Sequence, residues 1–255
     1  MKLKILVLCA VLLLTARFAT ADEILVSAAS SLTDALNEVG TAYTLAHPRT
    51  TVRFNFAASG VLQQQILQGA PVDVFCSASP IEVDALQKEG HIETASRIDF
   101  AGNRLVLIAP KGSRMRGWND LANPKTRRVA LSDPAAVPSG RYAQETLTKR
   151  GLWDIAKRKA IFGENVRQTL TYVANGDAEA GVVFKTDAMH DAGTVRIVTE
   201  AAPGKDHVPI VYPAAVVTNA PNHVGARSFV LFLQSKAARQ ILTRYGFTPP
   251  SSGKR

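Results

Sequence analysis

Two junctions between an apolar segment and a helical pattern carry serines with small neighbours. SAASSLTDAL follows EILV and places Ser31 where a helix begins, and FNFAASGVLQQQI repeats the plan with Ser59. The start of a helix offers unpaired backbone N–H groups and a partial positive charge, so it attracts anions without any charged side chain. A serine hydroxyl adds a donor, and alanine neighbours let an anion approach the backbone. These junctions therefore indicate an anion site built from neutral donors.

Two helix starts in the second half of the chain have the same character. DPAAVPSGRYAQETL presents Ser139 at the beginning of a helix, and GENVRQTLTYV begins another at Val166. In an open α/β sheet, ligands bind beyond the carboxyl ends of the strands, where the following helices begin. Four helix starts could thus converge on one cleft.

Ordinary helix capping is the alternative explanation for each junction taken singly. Serine and asparagine are common N-caps, and Ser31 with Asp34, or Asn165 with Gln168, fits or approximates a capping box. The occurrence of four such starts in one chain favours a binding role beside the capping role.

Catalytic motifs do not accompany these serines. The sequence contains no G-x-S-x-G and no H-E-x-x-H, and its five histidines are dispersed. Cys76 ends an apolar strand, which is typical of a buried small hydrophobic residue. We therefore expect no catalytic residue, no cofactor and no residue that ligates a metal directly. A secreted serine hydrolase remains an alternative that would need a base within reach of Ser31 or Ser59.

The first 21 residues have the pattern of a signal peptide. Lys2 and Lys4 precede the apolar stretch 5–14, and Ala19-Thr20-Ala21 is a small-x-small cleavage site. The sequence thus predicts an exported, periplasmic protein that is cleaved after Ala21.

Charge and cysteine content limit the possible partners. The formal charge is +9, and it falls to +6 once the signal peptide is removed. The Lys and Arg residues are scattered in short clusters, which are typical of solvated surfaces, so we expect no nucleic-acid partner. A diffuse positive field favours the approach of anions instead. Only one cysteine survives processing, so no intramolecular disulfide is expected.

Apolar segments of strand length alternate with helical patterns along the mature chain. This order predicts an α/β fold with largely parallel sheets. Short connections near FAGNR and HVPIVYP are the best crossing points between two lobes. We expect lobe I to comprise 22–101 and the returning segment 211–255, and lobe II to comprise 102–210. A double crossing makes a hinge, and the cleft between the lobes is then the natural ligand site.

The quoted motifs, together with GNRLVLIAP, GVVFKTDA and YGF near the end, resemble the periplasmic molybdate-binding proteins of bacterial ABC importers, in order over essentially the whole mature chain. The resemblance implies a two-lobed type II periplasmic binding protein fold and no enzymatic activity. It implies a monomer that closes on tetrahedral molybdate or tungstate and delivers it to a membrane permease.

The family's contacts fall on five positions of this sequence. The resemblance implies hydroxyl and backbone donors at Ser31 and Ser59, and backbone N–H donors at Ser139 and Val166. The fifth position is a tyrosine in bacterial members, but here it is Phe184, so its hydroxyl is missing. Water, the extra hydroxyl of Ser139, or a rearranged anion are the open substitutes.

Elementary chemistry narrows the choice among oxyanions. Phosphate near neutral pH keeps a proton and suits a site with an acceptor carboxylate, whereas molybdate and sulfate are fully ionised and suit donors only. The four donor positions supply no acidic acceptor, which disfavours phosphate. Molybdate and sulfate differ in size, so a sulfate receptor remains the alternative, and tungstate should compete with molybdate.

Overall fold

The computed structural model describes residues 22–250 of the protein. The predicted signal peptide and its cleavage position after Ala21 lie outside the described residues.

The described residues form ten strands and nine α-helices. The strands are β1 Asp22–Ala29, β2 Thr50–Ala57, β3 Val74–Cys76, β4 Ile98–Asn103, β5 Leu105–Pro110, β6 Val129–Ser132, β7 Ala160–Gly163, β8 Ala180–Phe184, β9 Val195–Glu200 and β10 Ile210–Val216. The helices are α1 Thr33–Ala46, α2 Ser59–Leu67, α3 Pro80–Lys88, α4 Pro138–Lys149, α5 Trp153–Arg158, α6 Val166–Ala174, α7 Lys185–His190, α8 His223–Phe232 and α9 Lys236–Arg244.

Two five-stranded sheets divide the chain. The first has the order β2-β1-β3-β10-β4 and the second the order β7-β6-β8-β5-β9. In each sheet the strands that lead into the candidate site are parallel: β1 pairs with β2, and β6 pairs with β7. Strands β10 and β5 run antiparallel to their neighbours. The chain passes from one sheet to the other between β4 and β5 and returns between β9 and β10.

Each sheet with its helices forms one lobe, so the predicted two-lobed α/β fold class is confirmed. Helix α8 packs on β1 and α9 packs on α1, which returns the C-terminal helices to the first lobe. Alternate side chains of β1, including Ile24, Val26 and Ala28, are fully buried. Strand β8 is buried along its whole length, because helices cover both faces of a largely parallel sheet.

Local differences from the sequence predictions are small and have physical causes. Helix α4 begins at Pro138, one residue before the predicted start at Ser139, since proline is suited to a first helical turn that needs no N–H. Cys76 is fully buried, as predicted, and burial raises the pKa of its thiol. Among residues 22–250 no helix is long and apolar enough to cross a membrane.

Candidate functional site

The four predicted donor residues all follow the carboxyl end of a parallel strand. Ser31 lies in the single turn of 3₁₀-helix Ser30–Leu32 after β1, and Ser59 is the first residue of α2 after β2. In the second lobe, Ser139 lies in the first turn of α4, and Val166 is the first residue of α6. All four are buried. The backbone N–H groups of a helix's first turn have no acceptor within that helix, so they are available to an anion.

Contacts between the lobes bring these helix starts together. The backbone N–H of Gly60, next to Ser59, donates to the carbonyl oxygen of Ala136 at 3.0 Å, three residues before Ser139. The turn that holds Ser31 lies against α6, which begins at Val166. The two lobes are therefore closed on each other, with the start of α2 beside the segment that precedes α4 and the Ser31 turn beside α6.

The hydroxyl oxygen of Ser59 is held by a hydrogen bond from the backbone. The backbone N–H of Ala78 donates to Ser59 Oγ at 3.1 Å. Since that oxygen is already accepting a hydrogen bond, the hydroxyl proton of Ser59 remains available for donation. Ser59 can thus present both its backbone N–H and its O–H to one ligand.

The hydroxyl of Ser139 has a different role. Ser139 Oγ donates to Ser132 Oγ at 2.8 Å, and Ser132 Oγ lies 2.8 Å from Thr169 Oγ1. Thr169 Oγ1 in turn donates to the carbonyl oxygen of Asn165 at 3.1 Å. This series of hydrogen bonds stays within lobe II and ends at the carbonyl oxygen of Asn165. With its hydroxyl engaged by Ser132, Ser139 has its backbone N–H as the donor open to an anion. The group that replaces the missing tyrosine hydroxyl stays a prediction.

The capping predictions have opposite outcomes. Asn165 caps α6 as predicted, because its Oδ1 accepts the backbone N–H groups of Arg167 at 2.9 Å and Gln168 at 3.0 Å. The predicted cap by Ser31 with Asp34 is wrong. Ser31 Oγ is hydrogen-bonded instead to the hydroxyl of Tyr212, which is distant in the sequence. The carboxylate of Asp34 pairs with Arg167 of the other lobe.

Phe184 ends strand β8 and is almost fully buried. Its ring makes edge contacts with Tyr142, at 6.2 Å between centroids, and with Tyr212, at 5.9 Å. The Tyr212 hydroxyl lies 3.0 Å from Ser31 Oγ and accepts a hydrogen bond from Asn103 Nδ2 at 3.0 Å. Sequence reasoning missed Tyr212 and Asn103. The one available signal was that both residues lie inside the predicted crossing segments, Asn103 in FAGNR and Tyr212 in HVPIVYP.

Ion pairs cross the cleft on both sides of the helix starts. Arg167 of lobe II contacts Asp34 of lobe I at 2.6 Å, and it also contacts the buried Asp187 of its own lobe at 2.6 Å. Elsewhere on the cleft, Arg141 of lobe II pairs with the buried Glu82 of lobe I. Both pairs therefore join the two lobes in the closed form.

Asp187 has an unusual titration. Burial raises the pKa of its carboxyl from 3.8 to about 6, although the nearby Arg167 guanidinium acts in the opposite direction. The pKa of Arg167 is raised by Asp187 and Asp34, against the effect of its own burial. The Arg167 side chain therefore stays charged between the two carboxyls.

We expect Asp187 to make the folded protein less stable as the pH rises through about 6. A carboxyl whose folded pKa lies above its unfolded value stabilises the fold fully below the unfolded pKa of 3.8, and this contribution is lost as the pH rises through about 6. Thermal unfolding from pH 5 to pH 7.5 should show this fall in the wild type and a smaller one in Asp187→Asn. The exposed Asp177→Asn variant is the matched control. Parallel pH profiles for the wild type and Asp187→Asn would show that ionisation of Asp187 is not the cause of the fall in stability.

Within residues 22–250, no three His, Cys, Asp or Glu side chains are grouped so as to hold a metal ion. A family model, described as "Bacterial extracellular solute-binding protein", matches residues 24–248. The chain belongs to this family.

Three relatives illustrate how the solute-binding chain compares with known proteins. It is 40% identical over 225 residues to a putative ABC transporter substrate-binding lipoprotein, YvgL, of Bacillus subtilis, covering 88% of this chain and 85% of the relative. It is 37% identical over 239 residues to the molybdate-binding protein ModA of Haemophilus influenzae, covering 91% and 92%. A solved substrate-binding domain of a putative molybdenum ABC transporter from Clostridium difficile has 33% identity and a TM-score of 0.69, covering 89% and 98%.

Proposed function

We propose that this solute-binding protein captures molybdate, and tungstate in competition with it, and delivers the anion to the permease of an ABC importer. The observation that carries the proposal is the set of four buried helix starts, at Ser31, Ser59, Ser139 and Val166, two from each of two lobes that contact each other. The names of the Haemophilus and Clostridium relatives support the choice of molybdate.

The donor set suits a fully ionised tetrahedral anion. Backbone N–H groups are donors only, and the hydroxyl of Ser59 is left to donate by its own hydrogen bond from Ala78. Hydrogen bonds to a charged acceptor are about twice as strong as neutral ones, and burial strengthens them further. Hydrogen phosphate would bring a proton that this set does not accept, so the site should discriminate against it.

Sulfate is the second candidate ligand. It has the same charge and shape as molybdate and needs the same donors, so only the size of the closed site separates the two anions. A serine hydrolase is less well supported. The partner of Ser31 Oγ is a tyrosine hydroxyl and that of Ser59 Oγ is a backbone N–H, whereas a nucleophilic serine needs a base that takes its proton.

The proposed setting is the periplasm, with a monomeric protein that begins at Asp22 after removal of its signal peptide. The proposal includes no cofactor, no enzymatic step and no nucleic-acid partner. The permease would recognise the closed form, in which Arg167 and Arg141 join the lobes.

Protein recovered from the periplasm of cells grown with molybdate tests this proposal. Intact-mass measurement should give a chain that begins at Asp22, and elemental analysis should find about one molybdenum atom per chain, as expected for one cleft. Retention of residues 1–21 would contradict the export proposal. Absence of molybdenum and tungsten after growth with both anions would contradict the ligand proposal.

A further inference from the structure

A chain of hydrogen bonds links the hinge to Ser31. Asn103 is the last residue of β4, where the chain leaves lobe I, and Tyr212 lies in β10, where it returns. Both side chains are buried. Asn103 Nδ2 lies 3.0 Å from the Tyr212 hydroxyl, which in turn lies 3.0 Å from Ser31 Oγ. The Tyr212 hydroxyl therefore connects the two crossing strands, β4 and β10, to Ser31 of the candidate site.

The hydrogen bonds of the Asn103 amide have a defined direction, because its NH₂ group only donates and its oxygen only accepts. Asn103 Oδ1 accepts the backbone N–H of Arg104 at 2.8 Å, which directs the Nδ2 group away from Arg104. That group donates to the Tyr212 oxygen and, at 3.0 Å, to Thr186 Oγ1. The phenol oxygen accepts from Asn103, so its own proton is available for donation to Ser31 Oγ. When Ser31 accepts from Tyr212, its own proton is left for an acceptor in the cleft.

We propose that Tyr212, oriented by Asn103, is a positioning residue that fixes the Ser31 hydroxyl as a donor to the bound oxyanion. The inference rests on the proposed function. Without Tyr212 the Ser31 proton could turn toward other acceptors, and part of the binding energy would be lost in reorienting it. Hydrogen bonds in a chain also polarise one another, so each donor in the sequence Asn103, Tyr212, Ser31 strengthens the next.

Two further features suit Tyr212 to this role. Burial raises the pKa of its phenol well above the ordinary value of 10, so the proton that it donates is retained. Its ring is held by edge contacts with Phe100, Phe184 and Phe247, at 5.4 to 6.5 Å between centroids. The ring position is thus fixed by packing that is independent of the hydroxyl, and a change to phenylalanine removes the oxygen alone.

The test is a double-mutant cycle on molybdate affinity, measured by titration calorimetry for the wild type, Tyr212→Phe, Ser31→Ala and the double variant. Tyr212→Phe should weaken binding by about 2- to 10-fold, the net value of one hydrogen bond. The double variant should bind as Ser31→Ala does, because Tyr212 acts through Ser31. A purely structural role would not produce this dependence on Ser31.

Tyr43→Phe is the matched control, because Tyr43 is a buried tyrosine of lobe I that packs on His47, Phe229 and Phe232. It should leave the affinity unchanged. Asn103→Ala, which keeps Tyr212, should weaken binding in the same direction as Tyr212→Phe, and it provides a second variant should Tyr212→Phe fold poorly.

Three outcomes would overturn the inference. These are unchanged affinity in Tyr212→Phe, unchanged affinity in Asn103→Ala, and losses that multiply in the double variant, which would make Tyr212 an independent contact. Failure of the wild type to bind molybdate would instead overturn the proposed function, so the two failures are distinguishable.

Discussion

Gly60→Ala is expected to weaken molybdate binding strongly while leaving the unliganded protein folded. A Cβ atom at this position would lie 2.6 Å from the carbonyl oxygen of Ala136, which belongs to the opposite lobe. The contact exists only when the cleft is closed, so the added methyl group should penalise the closed form. Overpacking of this kind costs about 1 to 3 kcal/mol, which corresponds to about 5- to 150-fold in the dissociation constant. Titration calorimetry measures the loss.

Two other glycines serve as controls for Gly60→Ala. Gly112 has open space around it, and Gly112→Ala should leave both binding and stability unchanged. At Gly140 an added Cβ would collide with the backbone of Ser132, Asp133 and Pro134 in its own lobe, so Gly140→Ala should lower the melting temperature of the unliganded protein. If Gly60→Ala lowered the melting temperature of the unliganded protein in the same way, or bound molybdate like the wild type, the proposed closure would be wrong.

We expect Ser31→Ala and Ser59→Ala each to weaken molybdate binding. Each removes a hydroxyl whose proton is available to the anion, and loss of a donor to a charged acceptor costs about 1 to 3 kcal/mol. Both variants should keep one backbone N–H at the site, so binding should weaken and not vanish. Affinity for molybdate, measured under the same conditions for both variants, gives the size of each effect.

Ser27→Ala is the matched control for these two variants. Ser27 is fully buried in β1, four residues before Ser31, and its hydroxyl has no hydrogen-bond partner among the described residues. Its replacement should not change the affinity. Wild-type affinity in both Ser31→Ala and Ser59→Ala would show that the anion does not bind at these helix starts.

The part of the site that local sequence patterns could predict is the set of helix starts. Each of these starts follows an apolar strand by a few residues, at Ser31, Ser59, Ser139 and Val166. Such short-range order can be recognised from neighbouring residues alone. The carboxyl ends of parallel strands then lie at one edge of each sheet, so the approximate position of all four residues follows from the fold class.

Hydroxyl orientation could not be predicted from these patterns, because it depends on partners that are distant in the sequence. Ser31 bonds to a residue 181 positions away, and Asn103 reaches Tyr212 over 109 positions. Ser139 has the same residue type and the same helical context as Ser59, yet its proton is directed into lobe II by Ser132. Only tertiary packing determines which partner each of these serine hydroxyls has.

The failed cap at Ser31 has the same origin. The spacing of Ser31 and Asp34 satisfies a local rule, but Arg167 from the other lobe offers Asp34 a charged partner, and Tyr212 offers Ser31 a phenol. A charge-assisted pair outweighs a neutral cap contact, so the long-range partners prevail over the local pattern.

The most direct test of the central claim is titration calorimetry of the purified protein near neutral pH with molybdate, tungstate and sulfate in turn. The account predicts one site per chain, tight binding of molybdate and tungstate, and much weaker binding of sulfate. Comparable affinity for sulfate, or no binding of molybdate, would contradict it.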